Sequence, residues 1–173
     1  MHKLPLFAAL MLLSACGETP TSQPKSGETA AQPEAKPIAV GETGKAKGVD
    51  ITINSVKVTS QVGPAGVAIK AEAGETFVVV TYSIKNTADK TLSFMERPAL
   101  TLIDANGHSY TADEMLGAMA VAISSDASST SIDLNPGTST KAGMAWKIAK
   151  DGFDKGTWNV VAETDPALTF SLK

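Results

Sequence analysis

The sequence predicts an all-β fold, an immunoglobulin-like antiparallel β-sandwich without an inter-sheet disulfide, preceded by a signal peptide and a disordered tether. Three observations lead to this prediction. After residue 44 the chain carries about seven short strand-like runs separated by glycine, proline and asparagine turn signals. Residues 45–173 contain no internal linker, so they fit one domain. Cys16 is the only cysteine, so the domain cannot hold a disulfide.

The first two predicted strands carry the clearest pattern. In residues 49–58 apolar and polar residues alternate, and the parity changes near Asn54, which predicts a strand with a β-bulge. Residues 75–85 are rich in β-branched and aromatic side chains and predict a central strand with two apolar faces. One face holds Val78, Val80, Tyr82 and Ile84, and the other holds Phe77 and Val79.

Turn signals separate the remaining predicted strands. A strand is expected to begin at residues 92–94, with a break at Pro98 before the strand 99–103. Asn106-Gly107 predicts a tight hairpin turn into a partner strand at 108–111, because these residues tolerate positive φ angles. Pro136-Gly137 predicts another turn. The last predicted strands cover residues 138–148, 158–161 and 168–172.

Residues 1–15 have the features of an export signal. A basic start at Lys3 is followed by about ten apolar residues and by the small residues Ser14 and Ala15. The apolar run is too short for a membrane-spanning helix, which needs roughly 20 residues. The segment is therefore predicted to be cleaved.

The run Leu13-Ser14-Ala15-Cys16 resembles the lipobox of bacterial lipoproteins. The resemblance implies that Cys16 becomes the first residue and carries a diacylglycerol. Two or three acyl chains hold a protein stably on a membrane, whereas one does not. Gly17 stands where that family's inner-membrane retention signal has Asp, which favours the outer membrane if the host has one. The alternative is a secreted protein with an incidental cysteine.

Residues 16–44 predict a disordered tether. Four prolines are scattered among small, polar and charged residues, and such a segment has too little apolar area to offset the entropy of ordering. The tether is expected to hold the domain off the membrane, in the cell envelope and outside the cytoplasm.

The segment 112–133 contains the one predicted working surface. Met115, Leu116, Met119 and Ile123 lie three and four residues apart, so a short helix would present them together, although 119–123 also fits a strand. Methionines adapt to irregular partners and recur at binding surfaces. The alternative is that these side chains are core packing beneath a loop.

The residue inventory argues against an enzyme and against a bound cofactor. Once the signal is removed and Cys16 carries its lipid, no free thiol remains and His108 is the only histidine. Neither a thiol nucleophile nor a multi-histidine zinc site is therefore available. Ser109 follows His108 on a predicted strand, where neighbouring side chains point to opposite faces. Met115, Met119, Met144 and His108 offer copper-binding side chains without a recognisable spacing.

Charge excludes a further class. Without Lys3 the chain has 14 basic and 18 acidic residues, a net charge of −4. Nucleic-acid binding requires a basic face, and the sequence has none. The predicted partners are the membrane, through the lipid on Cys16, and an envelope or extracellular protein.

Several strand and turn motifs together carry a family resemblance. The strings Gly74-Glu75-Thr-Phe77-Val-Val-Val80, Leu100-Thr-Leu102-Ile-Asp104-Ala-Asn-Gly107 and Leu134-Asn-Pro136-Gly137 resemble the telokin-like family of unknown function in bacterial lipoproteins. The resemblance implies an immunoglobulin-like fold, similar to that of a mycobacterial immunoprotective extracellular antigen, and an envelope location. It implies no reaction.

The sequence therefore predicts a membrane-anchored lipoprotein whose sandwich is a non-catalytic binding module. An envelope carrier of a small ligand or metal ion is the alternative, which a pocket near Met119 and His108 would favour. A weak hydrolase ranks last.

Overall fold

The computed structural model describes residues 36–122 and 132–173. The predicted signal peptide, the lipidation site Cys16, the tether up to residue 35 and Ile123 lie outside the described residues.

Two four-stranded antiparallel sheets form the body of the fold. The first has the order β1-β2-β5-β8, and the second has the order β10-β9-β6-β7. A two-stranded ribbon pairs β3 with β4. The strands are β1 Thr43–Ala46, β2 Val49–Thr59, β3 Gln61–Val62, β4 Ile69–Lys70, β5 Glu75–Asn86, β6 Leu100–Ile103, β7 Ser109–Tyr110, β8 Ser139–Ala149, β9 Asn159–Ala162 and β10 Leu168–Ser171. The helix α1 covers Glu114–Ala122, and 3₁₀ turns cover Phe94–Glu96 and Lys150–Gly152.

The main core lies between the two sheets and confirms the predicted β-sandwich. Fully buried side chains from the first sheet, such as Ile51 and Trp146, belong to the same apolar cluster as Leu102 and Phe170 from the second. Val78, Val80, Tyr82 and Ile84 of β5 all face this core, as predicted. Each large apolar side chain buried here stabilises the fold by about 1.5–3 kcal/mol relative to exposure.

The predicted β-bulge in β2 is confirmed. The pairing of β2 with β5 changes register between Ile53 and Ser55, which leaves Asn54 as the extra residue. The extra residue reverses the facing of the side chains that follow, which explains the change of parity in the sequence.

A smaller apolar cluster covers the outer face of the first sheet. Phe77 and Val79 of β5 pack there against Val62 of the β3–β4 ribbon and Leu116 of α1. The helix and the ribbon therefore cover the part of the outer face around Phe77 and Val79, whereas Lys57 of β2 and Lys85 of β5 on the same face are exposed.

The predicted hairpin between β6 and β7 is confirmed, with a longer loop than a two-residue turn. Ile103 pairs with Ser109, so residues 104–108 form the loop. Gly107 has a φ of 83° and donates its N–H to the Asp104 carbonyl at 3.1 Å. This turn requires positive φ at its last position, which glycine adopts without strain.

Two features differ from the sequence predictions. The expected strand at 92–94 is wrong: Leu92 makes a single bridge to Leu134, and Phe94 opens the 3₁₀ turn. The folded domain also begins before the expected boundary at residue 44, because Ile38 bridges Phe170 and packs against the main core. Ile38 was not predicted to be part of the domain, because the apolar run 38–40 is only three residues long and directly follows the proline-rich segment.

Candidate functional site

A solvent-open cleft of about 500 Å³ lies where the 3₁₀ turn meets α1 and β8. Three of its residues are methionines from separate elements, Met95, Met115 and Met144, and we call it the methionine cleft. The other lining residues are Tyr82, Phe94, Arg97, Pro98, Ala99, Glu114, Ala118, Ala142 and Gly143.

Backbone contacts hold α1 along the outer edge of β8. The Asp113 N–H donates to the Ala145 carbonyl at 2.8 Å, and the Asp113 carboxylate accepts the Leu116 N–H at 3.0 Å. Asp113 thus caps the helix, because an N-terminal carboxylate satisfies an otherwise unbonded backbone donor. A Cβ on Gly117 would collide with the Gly143 carbonyl, so the helix and strand meet at two glycines.

The two sides of α1 contact different parts of the molecule. Leu116 packs into the outer-face cluster, with Met119 at its margin. Met115 and Ala118 line the methionine cleft on the other side of the helix. The helix therefore forms one wall of the cleft while it covers the outer face of the sheet.

The cleft combines an apolar rim with three polar side chains, Tyr82, Arg97 and Glu114. Met95 is 85% exposed, Met115 is 63% exposed and Phe94 is 39% exposed, whereas Met144 is half-buried. The Arg97 guanidinium lies over the Phe94 ring at 5.2 Å from its centroid and donates to the Ile132 carbonyl. Arginine–aromatic contacts of this kind hold the guanidinium in place.

Burial shifts the pKa values of Tyr82 and Arg97. It raises the pKa of Tyr82 to about 12, an effect that the charge of Arg97 partly offsets. Burial also lowers the pKa of Arg97, which Tyr82 and Asp133 counteract. At neutral pH the cleft therefore presents a phenol hydroxyl and a cationic guanidinium.

The three described residues of the predicted working surface, Met115, Leu116 and Met119, do not form one exposed face. Met115 lies on the cleft, but Leu116 is buried and Met119 is half-buried in the outer-face cluster. Ile123 lies outside the described residues. The sequence analysis missed Phe94 and Met95, because their place beside Met115 depends on the tertiary path of the 3₁₀ turn.

His108 lies apart from the cleft, in the hairpin loop. Its Nδ1 lies 2.9 Å from the Asp104 carboxylate, which also accepts the Tyr110 hydroxyl at 3.3 Å. The His108 side chain is exposed, as expected for the end of a strand. Neither His108 nor Met119 lines the methionine cleft, so this cleft is not the pocket near those two residues that would favour an envelope carrier of a small ligand or metal ion.

The described residues contain neither a metal-ligand cluster of the usual side chains nor a membrane-spanning helix. Within 36–122 and 132–173, no group of three or more histidine, cysteine or acidic residues is placed to hold a metal ion. None of the helices in the same residues is long and apolar enough to cross a membrane.

The two packed antiparallel sheets define a β-sandwich protein, and its cleft is open to solvent at the edge of one sheet. The chain belongs to the family described as "Domain of unknown function (DUF4352)", whose model matches residues 38–155. It is 33% identical over 131 residues to the uncharacterised protein YxkC of Bacillus subtilis. The aligned residues cover 75% of this chain and 73% of YxkC.

Solved structures are similar in fold. A conserved hypothetical protein from Bacillus anthracis is 23% identical with a TM-score of 0.66, covering 79% of this chain and 95% of its own. An uncharacterised β-sandwich protein from Clostridium difficile is 16% identical with a TM-score of 0.55, covering 87% and 100%. The yjhA protein of Bacillus subtilis is 14% identical with a TM-score of 0.54, covering 79% and 99%. At these identities the likeness extends to the sandwich fold alone.

Proposed function

We propose that this protein is a lipid-anchored, non-catalytic binding module of the bacterial cell envelope, which contacts a partner protein through the methionine cleft. The observation that carries the proposal is the concentration of exposed apolar side chains at this one concave place. Phe94, Met95 and Met115 line the cleft, and Ile132 adjoins it through the bond of its carbonyl to Arg97.

Exposed apolar side chains are informative when they cluster. Seven large apolar residues are exposed in the described part of the chain, and these four belong to the cleft or its border. Contiguous apolar surface on a folded domain marks protein interaction sites and ligand grooves. Methionine side chains fit partners of irregular shape, because three rotatable bonds let them adapt.

The anchoring part of the proposal comes from the sequence. Cys16 ends a lipobox-like run after an export signal, and the proline-rich segment after it resembles the tethers of telokin-like lipoproteins. An outer-membrane location is part of the proposal if the host has that membrane, because Gly17 is not an inner-membrane retention residue. The anchor brings the cleft within reach of envelope proteins.

The non-catalytic part of the proposal is supported by the surroundings of His108. All of its hydrogen bonds within the described residues are made to Asp104, through the backbone and the ring. Asp104 in turn uses its carboxylate to close the hairpin loop. A triad requires a nucleophile within hydrogen-bond reach of the other imidazole nitrogen.

A site-specific crosslinking experiment tests the proposed interface. The lipidated chain is expressed in cells of its host with a photoreactive residue at position 95 or, as the control, at Val67, which is exposed on the loop between β3 and β4. We expect a discrete protein adduct from position 95 that disappears when Met115→Asp is added and persists when Val67→Asp is added.

Two results would contradict the interface. One is the same adduct from positions 95 and 67. The other is an adduct from position 95 that is insensitive to Met115→Asp. Circular dichroism of both aspartate variants verifies that they remain folded, which is expected because both side chains are exposed.

A further inference from the structure

Three of the four methionines that follow Cys16 converge on one cleft, although they are far apart in the sequence. Met95 lies in the 3₁₀ turn, Met115 in the first turn of α1 and Met144 in β8. The fourth, Met119, lies on the same helix as Met115 and packs against the outer-face cluster. The fold therefore places three methionine side chains at the methionine cleft and the fourth at the outer-face cluster.

We propose that the methionine cleft binds a soft monovalent metal ion, Cu(I), through the thioether sulfurs of Met95, Met115 and Met144. This inference goes beyond the proposed protein interaction, since it concerns the purified chain alone and requires no partner.

The donor chemistry selects the metal. Thioethers are neutral, soft ligands that prefer Cu(I) to the hard and borderline divalent ions. Zinc prefers cysteine, histidine and carboxylate ligands. The described residues place no group of three such side chains together, so the only multidentate donor set that lines the cleft is the methionine set.

The side chains have the freedom and access that binding requires. Met95 and Met115 are mostly exposed at the rim, so an ion reaches their sulfurs from solvent, while the half-buried Met144 supplies a fixed donor on the strand. Methionine's three rotatable bonds let sulfurs on separate elements approach one ion.

The charges around the cleft are balanced for a monovalent cation. The Glu114 carboxylate lines the cleft, which offsets the charge of the Arg97 guanidinium. Arg97 itself is directed toward the Phe94 ring and the Ile132 carbonyl. A cation entering beside Met115 therefore meets a carboxylate on the same helical turn.

Methyl NMR with Ag(I), a redox-stable probe of Cu(I) sites, tests the proposal. The full chain carries Cys16→Ser in every sample, because a thiol would itself bind Ag(I), and is purified in mild detergent and chloride-free buffer. Its six methionine methyl groups are ¹³C-labelled and assigned by single Met→Leu variants. We expect the Met95, Met115 and Met144 signals to shift together and to saturate at one equivalent, with Met119 unmoved.

Competition with a chromogenic Cu(I) chelator gives the affinity. Each of Met95→Leu, Met115→Leu and Met144→Leu is expected to weaken Cu(I) binding by at least about tenfold, because even outer-shell changes at metal sites cost roughly 10–100-fold. Met119→Leu, the matched control on the same helix, is expected to leave the affinity unchanged. Thioethers carry no proton, so binding should also be equal at pH 5 and pH 7.5.

Several outcomes overturn the metal site. They are the absence of a shift at one equivalent, an equal loss of affinity in Met119→Leu, or binding that fails at pH 5, where a histidine ligand would be protonated. None of these readouts involves a partner protein, so a failed metal site and a failed crosslinking experiment are separate results.

Discussion

Gly117 of α1 and Gly143 of β8 touch backbone to backbone, and neither position has room for a side chain. A Cβ on Gly143 would lie 2.5 Å from a methyl carbon of Val121 and 2.7 Å from the Gly117 carbonyl oxygen. This contact sets the distance between the helix and the strand, and thereby the width of the methionine cleft between them.

Gly117→Ala is expected to destabilise the fold although alanine is the better helix former. The higher helix propensity of alanine contributes about 1 kcal/mol, but its Cβ meets the backbone of Gly143, and overpacking costs about 1–3 kcal/mol. Because that Cβ would lie 2.3 Å from the Gly143 carbonyl oxygen, the overpacking cost belongs at the upper end of this range, and we expect the free energy of unfolding to fall by about 1–2 kcal/mol in urea titrations. Gly152→Ala is the control, because a Cβ there meets only Ala149 at 4.0 Å. Equal stability of the two variants would mean that the helix does not pack this closely.

Asp104 should make the stability of the domain depend on pH in the acid range. Burial alone would raise the pKa of Asp104, but hydrogen bonds from His108 and the Asn106 backbone lower it to about 2. Because the folded-state pKa lies below the unfolded value of about 3.9, the stabilisation is complete above pH 4 and is lost as the pH falls toward 2.

The corresponding variant is Asp104→Asn, compared with Asp89→Asn, which removes the same charge at an exposed position. Thermal midpoints measured between pH 2 and pH 6 should show a smaller acid-side decline for Asp104→Asn and a wild-type profile for Asp89→Asn. Parallel profiles for Asp104→Asn and the wild type would contradict the role of this carboxylate.

Asn86 is the polar side chain whose loss should cost most. It is fully buried, and its amide donates to the Lys90 and Leu134 carbonyls at 2.8 Å each. Asn86→Ala leaves both carbonyls without this donor, and we expect a loss of about 1–3 kcal/mol in denaturant unfolding. Asn54→Ala removes an exposed amide bonded to Ser83 and should change stability by less than about 0.5 kcal/mol.

The early start of the folded domain gives a paired prediction. Ile38 exchanges two backbone hydrogen bonds of 2.8 Å with Thr169 and Ser171 and is half-buried against the main core. Ile38→Ala should cost about 1–2 kcal/mol, less than the roughly 2–5 kcal/mol of a fully buried isoleucine. Deleting residues 20–34, within the predicted tether, should leave the thermal midpoint unchanged. A large decrease on deletion would show that this segment packs on the domain.

Cys16→Ser tests the anchor. We expect the variant to lose metabolic fatty-acid labelling and to keep its uncleaved signal, because the diacylglycerol attaches to this sulfur in lipoproteins. Val67→Ser, exposed in the folded domain, is the labelled control. Unchanged fatty-acid incorporation in Cys16→Ser would exclude lipidation at this position.

Strands with a strong local pattern were predictable from the sequence. In β2 the apolar residues before the bulge alternate with polar ones and are buried, and in β5 the run Phe77–Val80 is apolar and buried on both faces, as its composition predicted. The face of the sheet to which each of these side chains points follows from the two-residue period of a strand. Ile38 had no such pattern, since its burial depends on pairing with β10 at the other end of the chain.

The spacing of the apolar residues in α1 did not decide between helix and strand, and the structure gives the reason. A helix with one buried face shows apolar residues at intervals of three and four. α1 contacts the outer-face cluster through Leu116, the strand edge through Gly117 and the cleft through Met115, so apolar and small residues surround it. The cleft could not be predicted from the sequence, because residues 95, 115 and 144 are far apart in the chain and meet only through the tertiary fold.

The position of α1 protects the outer strand of the first sheet from pairing with other chains. β8 ends the first sheet, and an uncovered outer strand is a template on which other chains add strands and aggregate. The outward carbonyl of Ala145 already accepts the Asp113 N–H, and Gly117 lies against the carbonyl of Gly143. An incoming strand therefore cannot pair with the middle of β8. The helix thus keeps neighbouring copies from joining into a continuous sheet, including copies that the proposed membrane anchor would concentrate.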